Sequence, residues 1–346
     1  MITRSRFRII GWNVFYNFSH KIRTWAGCIT TSKGASHAGL SLEDSLAYID
    51  EVYTDYLLYS GLRSEDLSGR RVLEVGPGDN FGVALRFLAD GCSQVVCLDK
   101  FFARRDEAQH LRIYRAMRDS LTDPWRQRFD QAVDLTTSFA PDPEKLRYIS
   151  GLPLEQAAEQ LPAQSFDWIV SRAVLMEIPD SDAAFRSMDR LLKPGGCMIH
   201  KIAPIHDYRM FRAYGYGPLE FLTVPAWVYR RMVLDCGGPN RKPVTYYRHK
   251  MAELGYEATV HIVNLVGSRL KFPPDVIAPP VGSLEYQAAQ EQIRSIRPRL
   301  APEFHAIPDE DLMVEDLFLV GRKPLASRGW QHEAAMAAAA VARDRQ

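Results

Sequence analysis

The 346-residue chain predicts a doubly wound α/β fold, and three observations carry that reading. Five β-rich runs alternate with helical segments between Arg71 and Ala203. The first run, "RVLEV", ends on a glycine-bracketed turn, "GPGDNFG". The second, "QVVCLDK", arrives one helix later, so this β-α-β unit takes about thirty residues, the length of a parallel crossover.

The elements follow in order. Residues 41–61, "SLEDSLAYIDEVYTDYLLYSG", place Leu42, Leu46, Ile49, Val52, Tyr53, Tyr56 and Leu57 on one helical face. Ser41 is a start signal with Asp44 three residues on, and Gly61 is a stop. "GVALRFLADG" reads as a helix closed by Gly91, and residues 102–131 as a charged helical run. "KLRYIS" is a weaker strand, "PLEQAAEQL" a helix and "FDWIVSRAVL" a strong strand. "SDAAFRSMDRLL" is a capped helix with "KPGG" as its stop, and "CMIHKIA" is the fifth strand. "EATVHIVNLVG" and "LMVEDLFLVGRKP" read as two further strands, with no simple helical crossover between them. Two insertions, roughly 203–250 and 268–310, interrupt the pattern, and residues 326–346 form an Ala-rich tail.

A content of 46% hydrophobic and 25% charged residues is that of an ordinary globular protein. The net charge of +1 sets up no global field for nucleic acid or membrane. Locally the balance differs: residues 1–42 carry Arg4, Arg6, Arg8, Lys21, Arg23 and Lys33 and no acid. Five cysteines, Cys28, Cys92, Cys97, Cys197 and Cys236, form no C-x-x-C pair and predict reduced, buried thiols in a cytoplasmic protein. "MITRSRFRIIGWNVFYNF" lacks a cleavage site for a signal peptide, and no run approaches the roughly 18 apolar residues of a spanning helix.

The glycine turn carries the functional reading. No lysine follows it, which excludes the usual phosphate cradle. Its spacing, Gly76-x-Gly78-x-x-x-Gly82, is one residue longer than a dinucleotide fingerprint, and Glu74 and Asp79 flanking it would repel a pyrophosphate. A nicotinamide oxidoreductase is the rival reading, and that spacing and acidic flank stand against it. Asp99, ending the second strand twenty-one residues after Gly78, is placed to accept hydrogen bonds from both hydroxyls of a ribose. A ribose, a cationic amino-acid end and no phosphate describe S-adenosylmethionine.

With these pieces the chain resembles the class I S-adenosylmethionine-dependent methyltransferases. "VLEVGPGDNFG", "VVCLDK", "FDWIVSRAVLMEI" and "LLKPGG" occur in the family's order across residues 70–202. The resemblance implies a mostly parallel seven-stranded sheet whose last strand is antiparallel. It divides the chain into an N-terminal helical cap (1–66), a catalytic domain (67–325) with an inserted helical lid, and the tail. Gly76, Pro77, Gly78 and Asp79 would face the methionine part, with Glu74 organising its amino-acid end. Asp99 would hold the ribose, Lys100 and Phe101 would border the adenine, and Gly151 and Leu152 would edge it. Many relatives carry an acid near Leu152, and this chain does not. Ser171, Arg172 and Ala173 would line the methionine end.

The acceptor is expected to be a hydroxyl on a sugar, glycan precursor or natural product, with N-methylation of a small metabolite and a non-catalytic S-adenosylmethionine-binding scaffold as alternatives. The position after the fourth strand reads "SRAV", without the Asn/Asp-Pro-Pro-aromatic run of base or glutamine methylators. No basic, aromatic-interleaved face argues for nucleic acid, and no carboxylate cluster has metal-ligand spacing. "HKIAPIHDY" ends the fifth strand, where His206 is placed as general base and Asp207 as its orienting acid. His200, inside the strand, reads as structural. The lid that follows is aromatic and basic, and Tyr208, Arg212, Asn240 and Arg241 are its candidate substrate contacts. Most of its other aromatics are expected to pack it onto the core. The basic N-terminus is read as a cap over the cofactor, because Asn13, Asn17 and Ser19 interrupt its apolar face; contact with an anionic membrane is the alternative.

Overall fold

The computed structural model describes residues 5–27, 30–31, 37–205 and 210–325. One sheet holds β1 (Arg71–Val75), β2 (Gln94–Asp99), β3 (Leu146–Ser150), β4 (Phe166–Arg172), β5 (Leu192–Ile202), β6 (Glu257–Leu265) and β7 (Val314–Arg322). Their spatial order is β6-β7-β5-β4-β1-β2-β3. The pairs from β5 to β3 are parallel, and β7 runs antiparallel to both β5 and β6. This is the expected mostly parallel sheet with an antiparallel last strand, a Rossmann-like arrangement.

The helices are α1 (Arg6–Trp25), α2 (Leu42–Ser60), α3 (Gly82–Ala89), α4 (Glu107–Ser120), α5 (Trp125–Ala132), α6 (Ala157–Gln160), α7 (Ser181–Leu191), α8 (Ala226–Val233), α9 (Val244–Glu253), α10 (Leu284–Ile296) and α11 (Asp309–Met313). Side chains of β1 alternate between two cores. Val72 joins Tyr53 and Tyr56 of α2 and Phe87 of α3, while Leu73 and Val75 join Met188 and Leu191 of α7. Each such fully buried aliphatic stabilises the fold by about 1.5–3 kcal/mol over an exposed one. Neighbours β2 and β3 lie to one side of β1, and β4 and β5 to the other. The strand order therefore reverses at β1, and the crevice beyond its carboxyl end is where such sheets bind ligands.

Local expectations hold in part. Ser41 caps α2 by accepting from the Asp44 N–H at 3.0 Å, and Gly61 ends it in the left-handed region. The run 102–131 is two helices: α4 ends before Pro124, whose missing N–H is tolerated only at the start of α5. "PLEQAAEQL" is a 3-10 turn, Leu154–Gln156, followed by the single turn of α6. "KPGG" is a β-bulge within β5 as well as a helix stop. Phe166 pairs with Leu192 and Trp168 with Cys197, so Lys193–Gly196 bow outward. Lys193 Nζ closes the bulge on Asp167 at 2.7 Å.

At the N-terminus, α1 packs along α8 and contributes Ile9 to the core. Asn17 clasps the two together: its Oδ1 accepts from the Asp235 and Cys236 N–H groups at 2.8 and 2.9 Å, and its Nδ2 donates to Asp235 at 3.0 Å. In the segment after β5, Phe221 and Tyr229 are buried as packing residues, whereas Trp227 is exposed. Cys92, Cys97, Cys197 and Cys236 are buried; Cys28 lies outside the described residues. No described helix is long and apolar enough to cross a membrane.

Candidate active site

A cavity of about 280 Å³ occupies the crevice at the switch point. The turn after β1 forms its floor through Gly76, Pro77, Gly78, Asp79 and Asn80. Gly76 and Gly78 both have φ of 71°, a conformation other residues rarely adopt. A Cβ on Gly76 would lie 2.4 Å from Val174 Cγ2, so glycine is what lets this turn pack against the segment after β4. Gly82 serves packing instead. A Cβ there would meet Ile49 Cδ1 at 2.3 Å, so its absence permits α3 to lie against α2.

Glu74 is buried at the end of β1 and lines the cavity. Burial raises its carboxyl from 4.5 to about 7, with the Cys97 thiol, 3.5 Å from Oε2, pulling the other way. Asp79 is buried too and accepts from the His37 N–H at 3.2 Å; burial also pushes its carboxyl upward. Arg105 donates to the carbonyls of Gly78 and Asp79 at 3.3 and 3.2 Å. Its guanidinium stacks on Phe81 and Tyr148 at 4.2 and 4.3 Å. This clamp fixes the glycine turn from behind.

Asp99, Lys100, Phe101, Leu152, Leu154 and Glu155 line the opposite wall. Burial raises the Asp99 carboxyl to about 6, although its Oδ1 accepts from the Phe101 N–H at 3.2 Å. Beyond β4, Arg172, Ala173, Val174 and Glu177 complete the lining. Ala173 has φ of 58°, unusual for a residue with a side chain. Arg172 is held by Asp55 at 2.8 Å and Glu51 at 3.2 Å, so it ties β4 to α2.

Two residues expected at the cofactor lie elsewhere. Ser171 is buried within the sheet, where its Oγ meets His200 Nδ1 at 2.8 Å, and it is not among the lining residues. His200 is fully buried, as its structural reading implied, and burial lowers it to about 3. Gly151 is not among the lining residues; its φ of 81° shapes the turn that presents Leu152.

A second cavity, about 500 Å³, adjoins the first. Ala173, Glu177, Cys236 and Gly237 line both. Its other walls include Trp12, Asn13 and Tyr16 of α1, Lys201 of β5, Asp316 of β7 and Tyr214. Lys201 Nζ lies 3.6 Å from Asp316 Oδ2, and burial lowers the ammonium pKa against the pull of that carboxylate.

Three of the lid residues expected to touch substrate, Asn240, Arg241 and Arg212, are engaged with the protein itself. Asn240 donates from Nδ2 to the Leu175 and Ile178 carbonyls at 2.7 and 3.1 Å, pinning the segment after β4. Buried Arg241 donates to the Val224 carbonyl at 2.7 Å, stacks on Tyr229 at 3.9 Å and pairs with Glu303 at 3.3 Å. Neither lines either of these two cavities, and both staple the lid. Arg212 pairs with Glu315 at 3.3 Å and also lies off the cavity walls. His206, Asp207 and Tyr208 lie outside the described residues. Sequence reasoning missed the part of α2: Tyr48, Ile49, Val52 and Tyr56 roof the first cavity. The helical stripe was visible, but not which part of it faces a ligand. The Lys201–Asp316 pair was missed because nothing local links residues on two separate strands.

Fold and site together give a Rossmann-like sheet with two adjoining cavities, one of them at the switch point. The family model described as "Methyltransferase domain" matches residues 46–259, and the chain belongs to that family. It is a methyltransferase that uses S-adenosylmethionine. No curated protein matches it.

Similar solved structures include phosphoethanolamine N-methyltransferase 2 of Haemonchus contortus, solved with phosphomonomethylethanolamine and S-adenosylhomocysteine. That protein is 13% identical with a TM-score of 0.43, over 85% of this chain and 60% of its own, so the chain spans less than two thirds of its length. An S-adenosylmethionine-dependent methyltransferase of Mesorhizobium loti is 19% identical with a TM-score of 0.39, over 80% of this chain and all of its own (100%). A putative sarcosine dimethylglycine methyltransferase of Galdieria sulphuraria is 15% identical with a TM-score of 0.36, over 82% of this chain and 86% of its own.

Proposed function

We propose that this enzyme methylates a hydroxyl oxygen of a small, polar acceptor seated in the larger cavity. The carrying observation is that Ala173, Glu177, Cys236 and Gly237 wall both chambers, so a methyl donor in one and an acceptor in the other would lie side by side. S-adenosylmethionine supplies an electrophilic methyl group when bound. Glu74 is a buried carboxylate suited to pair with its ammonium end. Gly76 and Gly78 allow close backbone approach, and Asp99 accepts from the ribose hydroxyls. Phe101, Leu152 and Leu154 offer the apolar surface that the adenine needs.

In the acceptor chamber, Trp12, Tyr16 and Tyr214 supply aromatic faces, and Asn13, Glu177, Lys201 and Asp316 supply donors and acceptors. That mixture suits a hydroxylated ring, such as a sugar. Enclosure between α1 and the lid holds acceptor and donor together and limits water, from which much of the rate of a displacement derives. A hydroxyl acceptor also benefits from a base. His206, with Asp207 beside it, follows the lining residue Ala203 and precedes the lining residue Met210, which supports that assignment.

The test is conversion of S-adenosylmethionine to S-adenosylhomocysteine with sugars and nucleotide sugars, beside small primary and secondary amines. Turnover with the hydroxylated set supports oxygen as the acceptor atom. Turnover with amines alone replaces that reading with N-methylation.

A further inference from the structure

α1 turns several of its large aromatic residues toward solvent. Its buried positions are Ile9, Asn17 and His20, and Arg6 on the same side donates to the Thr223 carbonyl at 3.0 Å. The opposite face shows Phe7 at 84% exposure, Phe15 at 61%, Phe18 at 59%, Ile22 at 50% and Trp25 at 88%. At 3.6 residues per turn these five fall within an arc of about 80° along a helix about 30 Å long. Arg8 and Lys21, both exposed, border the arc on its two sides, and residues 1–42 contain no acid. A helix whose apolar face is turned away from the protein is covered by something else.

We propose that this face seats the enzyme on an anionic lipid bilayer. Large aromatics on one face with flanking arginine and lysine are the composition of a helix lying in the membrane interface, where rings enter the head-group layer and cations meet lipid phosphates. The same charges disfavour a second copy of the chain as occupant, because pairing two such faces sets like charges together. Trp12 and Tyr16, farther round the helix toward its buried side, line the acceptor cavity, so the seated face and that chamber share one helix.

Flotation of the full chain with vesicles tests this. The probes are phosphatidylcholine alone and phosphatidylcholine mixed with phosphatidylglycerol. The expected result is binding at least about tenfold tighter to the anionic vesicles, weakened as salt rises from about 0.1 M to about 1 M and the screening length falls from about 10 to about 3 Å. Phe15→Ser with Phe18→Ser is expected to weaken that binding at least about tenfold. Both positions lie off the cavities, so affinity for S-adenosylhomocysteine stays unchanged and shows the variant folded. Equal binding to both vesicles, no binding to either, or binding indifferent to the double substitution overturns the proposal. So does a wild-type dimer that the double substitution dissolves, which assigns the face to a second copy.

Discussion

Glu74 and Cys97 are register partners on the parallel strands β1 and β2, and the Cys97 thiol lies 3.5 Å from the Glu74 carboxylate. A thiol is a weak donor, so it compensates little for burying a charge. The protein thus holds a carboxyl group near half-ionisation where a cation would complete it.

Glu74→Gln is expected to stabilise the ligand-free enzyme at neutral pH. The wild-type carboxyl is raised from 4.5 to about 7, so the folded state retains a proton that the unfolded chain releases between those values. Wild-type stability therefore falls as pH rises from about 4.5 to about 7. The variant escapes that loss, on the order of 3 kcal/mol at pH 8, and the gap closes toward pH 5. Urea titrations across pH read it. A variant less stable at pH 8 would contradict the assignment. Affinity for S-adenosylhomocysteine should fall at least tenfold in the same variant, roughly the 1.5–3 kcal/mol of a charged hydrogen bond.

Gly76→Ala is expected to lose cofactor affinity and about 1–3 kcal/mol of stability from two separable causes. One is the φ of 71°, and the other is the approach of its Cβ to Val174 Cγ2 at 2.4 Å. Adding Val174→Ala should restore part of the melting temperature, since it removes only the steric cause. Full restoration would show that the backbone conformation costs nothing there.

Asp99→Asn is expected to weaken S-adenosylhomocysteine about ten- to a hundredfold without lowering the melting temperature, because each bond from a ligand hydroxyl to a carboxylate contributes about 1.5–3 kcal/mol. The amide oxygen can still accept from the Phe101 N–H, so the local turn survives. Unchanged affinity in calorimetry would remove Asp99 from the ribose site.

Asp316→Asn is expected to raise the acceptor KM several-fold and leave S-adenosylhomocysteine affinity unchanged. Asp316 lines only the larger cavity, where it lies 3.6 Å from Lys201. Without its counter-charge the Lys201 ammonium titrates still lower, so acceptor turnover should also change its pH profile. A loss of cofactor affinity equal to the KM effect would mean that the two chambers are not separate sites.

Where function depends on local backbone chemistry, the sequence was legible. The glycine turn, Asp99 at a strand end and the alternation of strands and helices each announce themselves within a few residues, and they located the crevice. Side-chain direction was less so. Ser171 and Arg172 are adjacent, yet one turns inward to His200 and the other reaches Asp55 across to α2. Asn240 and Arg241 sit on a turn that suggests substrate contact, but their partners, the Leu175 and Val224 carbonyls, lie far off in sequence. On α1 the polar residues read locally as interruptions of an apolar face. Asn17 is instead the side that grips the protein, and that orientation depends on the Asp235–Cys236 backbone.

The cofactor site is probed most directly by calorimetric titration with S-adenosylhomocysteine at pH 6 and pH 8, with NADH run beside it. Micromolar binding of S-adenosylhomocysteine alone is expected, tighter at pH 8, because its ammonium selects the ionised form of a Glu74 carboxyl that titrates at about 7. Binding of NADH, or an affinity for S-adenosylhomocysteine that does not change between the two pH values, would contradict that assignment.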